Sequence, residues 1–208
     1  MTNASANHFF AQVCTFIMGG VSLEALPPTT FPEIAFAGRS NVGKSSLVNA
    51  LTGQKTLAKA SNTPGRTKQI NFFLLAERLM MVDLPGYGYA KAPKKEVRQW
   101  THLVKDYLTG RPNLMRVLLL IDARHGLKDV DIGIMKLLDV AAVSYQIVLT
   151  KADKIKPAAL ATLIEATAAS LKHHAAAHPQ IIATSSVSKD GIEALRAELA
   201  AFAESKNR

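Results

Sequence analysis

The octapeptide Gly38, Arg39, Ser40, Asn41, Val42, Gly43, Lys44, Ser45 constrains this chain more than any other feature. It meets the pattern Gly-x-x-x-x-Gly-Lys-Ser, and its flanks supply the required setting. The apolar run Ile34-Ala35-Phe36-Ala37 predicts a buried strand, and Ser46 to Leu51 predicts the helix that follows. A strand that turns through glycines into a helix gathers backbone amides and the positive helix end at one point, which suits phosphate. Gly38 and Gly43 are expected to let the backbone curl. Lys44 then reaches the β/γ-phosphates and Ser45 Oγ can ligate Mg²⁺. The plainer reading is a glycine-rich turn with no ligand; the strand and helix on either side count against it.

A phosphate loop does not choose its base. Thr150-Lys151-Ala152-Asp153 does, because it follows the apolar run Tyr145 to Leu149 and so falls at the carboxyl end of a strand, where open α/β sheets bind ligands. A carboxylate there accepts the N1 and N2 protons of guanine as a pair, and adenine offers no such pair. Asp153 is the expected guanine reader. Lys151 is expected to lay its stem along the base with its ammonium in solvent. Arg78 to Val82 predicts a strand running into Asp83-Leu84-Pro85-Gly86, where Asp83 can hold Mg²⁺ through a water and the Gly86 amide can meet a γ-phosphate. Standing alone, that tetrapeptide would be an ordinary turn. Gln180 to Ala183 predicts a last strand before Thr184-Ser185-Ser186, whose amides can donate to guanine O6. Serine-rich strand ends are usually plain turns, so this segment supports the reading without establishing it.

In this order the motifs resemble the translation-factor-related GTPases, and the whole pattern is most similar to the bacterial EngB (YihA/YsxC) family of ribosome-assembly GTPases, of the TrmE-Era-EngA-YihA-Septin-like superfamily. The resemblance runs from Pro32 to Phe202. It rests on Gly38 to Ser46, Asn62-Thr63-Pro64-Gly65-Arg66-Thr67, Asp-Leu-Pro-Gly-Tyr-Gly-Tyr-Ala from Asp83, Ile121-Asp122-Ala123-Arg124, Thr150 to Asp153 and Thr184 to Ser186. It implies that Thr67 is the first-switch threonine whose hydroxyl joins Mg²⁺ only when the γ-phosphate is present, with Gly65, Arg66, Lys68 and Gln69 lining the same site. Metal ligation then falls to Ser45, Thr67 and Asp83, and hydrolysis of GTP to GDP to Lys44, Thr67, Gly86 and Asn41. It also implies a cytoplasmic bacterial monomer acting in assembly of the large ribosomal subunit and in normal cell division or septation.

Two positions depart from the wider GTPase pattern. Tyr87 stands just after the Asp-x-x-Gly glycine, where many small GTPases carry a water-orienting glutamine, and a phenol cannot do the same job there. Slow intrinsic hydrolysis is expected, on the order of 10⁻⁴ to 10⁻² per second. The resemblance is to GTPases with a hydrophobic residue at that place, several of which use K⁺, and Asn41 occupies the loop position that ligates it. Asn41 can equally cap the following turn. Thr150 stands where the class has asparagine, and a hydroxyl makes fewer bonds to the phosphate loop. Modest nucleotide affinity and unassisted exchange are expected.

The 208 residues suit one domain with a substantial core. Predicted strands at 34–37, 69–75, 78–83, 115–121, 145–150 and 180–184, with helices between most of them, give a P-loop NTPase fold of Ras-like type. This is a doubly wound, mostly parallel six-stranded α/β sheet with one antiparallel edge strand, because the link Ala76-Glu77 reads as a hairpin. The expected division is an N-terminal extension 1–31 packing on the domain, a GTP-binding domain 32–203 and a tail 204–208. The alanine-rich stretch 158–177 reads as helix, and in the last helix Ile192, Leu195, Leu199 and Phe202 share one face.

The lone Cys14 excludes an internal disulfide framework and fits a reducing cytosol. The apolar run around it lacks a basic leader and is too short to span a bilayer. A net charge of +9 favours a polyanionic partner, guanine nucleotide apart. Lys91, Lys94, Lys95, Arg98, Lys105 and Arg111 follow the second switch and are read as a basic surface for rRNA, against the plainer reading of a solvated helix face. Trp100, among them, is expected in the core rather than as a stacking platform. His173, His174 and His178 have no acidic partner at ligand spacing and are expected at a solvated helix end. The alternative to a GTPase is an RNA or ribosome scaffold that holds GTP as a structural ligand.

Overall fold

Strands covered on both faces read as unbroken apolar runs. β2 (Glu33–Gly38) and β6 (Tyr145–Thr150) are buried at every residue, and β5 (Leu114–Asp122) over its last six. A computed structural model of the chain describes residues 2–54, 57–58, 69–88 and 94–204, with the backbone alone at 23 and 94–101. With β1 (Cys14–Gly20), β3 (Ile70–Leu75), β4 (Leu79–Asp83) and β7 (Ile182–Ala183), these strands form one seven-stranded sheet ordered β1-β3-β4-β2-β5-β6-β7. α1 (Asn3–Phe10), α2 (Lys44–Thr52) and α6 (Ile192–Glu204) bury their apolar residues on one face. α3 (Lys94–Gly110), α4 (Asp129–Val140) and α5 (Pro157–Leu171) cover the other.

The doubly wound, mostly parallel arrangement is the one expected, with one strand more. β3 alone runs against its neighbours, and it lies one place in from the edge because β1 pairs with it outside. β1 carries no clean alternation that would announce it. Phe16 and Ile17 are both exposed, and the register slips between Phe16 and Met18. Its pairing is driven by β3, whose outer backbone groups need partners. Cys14 is buried there, and burial pushes its thiol up to about 12, so it is an inert apolar group at neutral pH.

Two arginines bind distant pieces together. Arg196 on α6 donates to Leu51 O at 2.9 Å and Ala50 O at 3.1 Å, and to Asn7 Oδ1 on α1 at 3.1 Å. The last carbonyls of α2 lack donors within their own helix, and a cation at a helix C-terminus is favourable. Arg111, expected on a basic surface, is instead buried. It pairs with Glu33, a carboxylate with no exposure, and donates to Pro27 O at 2.8 Å. Tyr107 Oη adds a bond of 2.9 Å to Glu33, and the guanidinium lies 5.7 Å from the centre of the Phe72 ring. Burying a cation requires this density of partners. Lys105 is exposed as expected, whereas Lys91 and the side chains of Lys94, Lys95, Arg98 and Trp100 lie outside the described residues.

The alanine-rich helix stops at Leu171 rather than 177. Residues 174–178 leave it to bond the start of β6: Tyr145 N donates to Ala176 O, and His178 N to Tyr145 O. This also corrects the reading of the histidines. His174 Nδ1 is 2.6 Å from Asp139 Oδ2 and nearly buried, and His178 Nδ1 lies 3.8 Å from Glu198 Oε1. Both acidic partners come from other helices, beyond any local spacing rule. Among the described residues no helix is long and apolar enough to cross a membrane.

Candidate nucleotide-binding site

The carboxyl ends of β2, β4, β5, β6 and β7 converge on one edge of the sheet, the place where open α/β sheets take ligands. From β2 the chain passes through residues 39–43 into α2. Gly43 is the N-cap at φ 108°, a left-handed conformation that favours glycine. Gly38 serves differently from expectation: its φ is ordinary, and a Cβ there would stand 2.8 Å from Val42 Cγ1 and 3.1 Å from Leu120 Cβ. Asn41 is exposed and left-handed too, at φ 63°, while Val42 is buried and Ser46 exposed.

Lys44 opens α2, and its Nζ lies 2.6 Å from Asp83 Oδ1 at the end of β4. That oxygen is buried and has no hydrogen bond. Ser45, half-buried, is the next residue of α2. A buried carboxylate oxygen that accepts no aligned hydrogen bond, with only the Lys44 ammonium against it among the described residues, matches the hard oxygen ligands that Mg²⁺ takes. Leu84 N donates to Phe36 O at 3.0 Å, which holds the Asp83-Leu84-Pro85-Gly86 segment on β2. Gln69 is described and exposed, while Gly65, Arg66, Thr67 and Lys68 lie outside the described residues.

The base-side loop is tied to the phosphate loop twice. Thr150 Oγ1 donates to Val42 O at 2.6 Å, and Lys151 Nζ donates to Asn41 O at 2.7 Å. The lysine ammonium, expected free in solvent, is engaged instead; it also lies 2.9 Å from Asp122 Oδ2. Asp122 is buried, which alone would raise its pKa, but bonds from Arg124 and Lys151 outweigh this and hold its carboxyl far below the usual carboxylate range. Asp122 thus aims Lys151, a role no spacing announces. One hydroxyl and one ammonium thus join the two loops. Thr150→Val is expected to cost about 1–2 kcal/mol, roughly tenfold in GDP affinity, by stranding a buried carbonyl. Titration with fluorescent GDP measures it, and unchanged affinity would mean that Lys151 carries the tie alone.

Asp153 sits in the short turn after β6. A hydrogen bond from Ser185, foremost, and Lys154 beside it lower the Asp153 pKa, which keeps it a hydrogen-bond acceptor. Ser185 is fully buried and its Oγ also accepts from Val187 N and Ser188 N. Ala152 N donates to Thr184 O at 3.1 Å, and Thr184 Oγ1 to Leu149 O at 3.0 Å, so the turns after β6 and β7 form one unit, with Ser186 half-buried beside it. Tyr87 is buried, and its hydroxyl is engaged by Asp131 at 2.8 Å.

A family model described as "50S ribosome-binding GTPase" matches residues 33–151. A "Probable GTP-binding protein EngB" of Rhodospirillum rubrum is 60% identical over 199 residues, covering 93% of this chain and 86% of its own length. The chain belongs to the EngB family of GTP-binding proteins. Another EngB, of Caulobacter vibrioides, is 57% identical over 195 residues, covering 94% of this chain and 85% of its own. Among solved structures, that of a probable EngB superposes with a TM-score of 0.66 at 24% identity, over 85% of this chain and all of the other. That likeness concerns the fold, and the Ras-like P-loop architecture is as the sequence implied.

Proposed function

We propose that this protein is a Mg²⁺-dependent GTPase that alternates between GTP and GDP forms and assists assembly of the large ribosomal subunit, as a cytoplasmic monomer on which normal septation depends. The observation that carries the reading is the meeting of Lys44, Asp83, Lys151 and Asp153 at one edge of the sheet in a chain of this family. The amides of residues 41–45 and Lys44 bind the phosphates. Ser45, Asp83 and Thr67 would hold the metal, which would supply positive charge against the developing phosphate oxyanions. Asp83 and Gly86 sense the γ-phosphate, Asp153 reads the base, and the turn Thr184-Ser185-Ser186 supports it. Tyr87 is engaged elsewhere and orients no water, in keeping with intrinsic turnover on the order of 10⁻⁴ to 10⁻² per second.

The ribosomal part is supported by the family description and by the net charge of +9, which favours a polyanionic partner through phosphate contacts. Co-sedimentation with purified large subunits tests it, in a non-hydrolysable GTP analogue, GDP, an ATP analogue or no nucleotide. Retention with the GTP analogue alone is expected. Equal binding in every state that collapses with salt would reduce the partner to general polyanion affinity. Multiple-turnover phosphate release with and without subunits separates this reading from a scaffold that holds GTP unhydrolysed. K⁺ at Asn41 is part of the proposal, and turnover in K⁺ is expected to exceed that in Na⁺ by about tenfold or more if K⁺ supplies charge as an arginine finger does. Equal rates would remove it.

A further inference from the structure

Tyr87 follows directly on Gly86; it is buried and lines a small apolar cavity with Ala37, Leu84, Val104 and Leu138. Phenylalanine would fill that space as well, so the hydroxyl calls for its own explanation. It donates to Asp131 Oδ1 at 2.8 Å. Asp131 lies in the first turn of α4 with no exposure at all. Its Oδ2 accepts from Lys128 N at 2.9 Å and stands 3.4 Å from Nε of Arg39, the second residue of the phosphate loop. Arg39 in turn donates through Nη2 to Gly126 O at 3.0 Å. Capping α4 needs only one carboxylate oxygen, and an exposed aspartate would serve. Full burial, with the second oxygen given to Tyr87 and a cation beside the first, goes beyond capping, because a buried carboxylate is costly unless every neighbour is arranged for it.

The backbone repeats the tie. Tyr87 N donates to Gly38 O at 3.2 Å and Ser40 N to Tyr87 O at 3.0 Å, a single parallel bridge that extends the sheet past Asp83. Gly86 therefore lies flat on the phosphate loop: a Cβ on it would stand 3.2 Å from both N and Cα of Ser40. The spacing between the Gly86 amide and the loop is set by the bridge and by the side chain next to it.

We infer that Asp131 is a positioning residue for GTP hydrolysis: it holds Tyr87 and Arg39 together, and through Tyr87 fixes the Gly86 amide at a set distance from the phosphate loop. The inference rests on the GTPase reading. Its consequence is selective. Loosening Tyr87 weakens what Gly86 does for a γ-phosphate and leaves GDP, which has none, unaffected.

The test uses the full chain with Tyr87→Phe, Asp131→Asn and the double variant, titrated with GDP and with a non-hydrolysable GTP analogue, and followed through single-turnover GTP cleavage. Each single variant is expected to lower analogue affinity about fivefold and cleavage about tenfold with GDP affinity held within about twofold, and the double is expected to lose no more than the worse single. Loss of GDP and analogue affinity in equal measure, additive losses in the double variant, or a Tyr87→Phe protein that cleaves like the parent would each overturn it. If Asp131→Asn does not fold, Tyr87→Phe alone decides through the same split between the nucleotides. Failure of the unaltered protein to bind guanine nucleotide would overturn the GTPase reading as well. A parent that binds and cleaves GTP keeps that reading whatever the variants do.

Discussion

Asp153→Asn is expected to lower affinity for GDP and GTP on the order of 10³-fold, because two charge-assisted hydrogen bonds are lost and an amide donor is turned toward the donors of guanine. The same amide suits xanthine, which presents an oxygen at C2 where guanine presents an amine, so xanthine nucleotides should gain affinity. The substitution is mild for the fold. The oxygen of the introduced amide can still accept from Ser185, and the turn is held independently by the bond from Ala152 N to Thr184 O. Displacement of fluorescent GDP by GTP and by xanthosine triphosphate gives the answer directly. An Asp153→Asn protein that keeps its preference for GTP would place the base elsewhere.

Arg111→Met should lower the stability of the fold by about 3–5 kcal/mol, since it leaves the Glu33 carboxylate buried with Tyr107 as its remaining side-chain donor among the described residues. For a chain of this length that is roughly a 10 °C fall in Tm. Replacing both members, Glu33→Gln with Arg111→Met, should recover much of the loss, because most of the cost of the single change is the stranded charge. Thermal unfolding followed by circular dichroism separates the cases. Equal loss in the single and double variants would mean that packing of the arginine stem over Phe72, rather than its charge, holds this corner.

Both residues bear on what a sequence can show. The place of Asp153 was legible, because an apolar strand precedes it and it falls in the turn after β6; the role proposed for it comes from the chemistry of guanine. Arg111 was not: as one basic residue in a run of them it looked solvated, and its partner is 78 positions away in the chain. The same contrast runs through the molecule. β2, β5 and β6 were plain because both their faces are apolar, whereas β1 is an edge strand with exposed Phe16 and Ile17 and takes its structure from β3. Thr150 looked like a weakened asparagine, yet its hydroxyl reaches Val42 O while Lys151, expected in solvent, supplies the second tie. His174 lacked a local partner and found Asp139. Tyr87 was noted for what it cannot do, and Asp131 gave no signal, since an aspartate in the first turn of a helix is ordinary. Local patterns report what a residue does with its neighbours in sequence; buried ion pairs and loop ties are made by topology.

Arg196 on α6 ties α1 and α2 together, and this fixes an order of events during synthesis. The capped carbonyls of Ala50 and Leu51, the receiving Asn7 and the α6 face on which α1 packs are all made early or late, with almost the whole chain between them. As the polypeptide emerges from its own ribosome, residues 38–52 are out long before their cap exists. The cap of α2 is thus completed only once α6 has been made. Contacts of this span are slow to close, and until they do α1 and the apolar side of α2 stay uncovered, the interval in which such a chain is most exposed to aggregation.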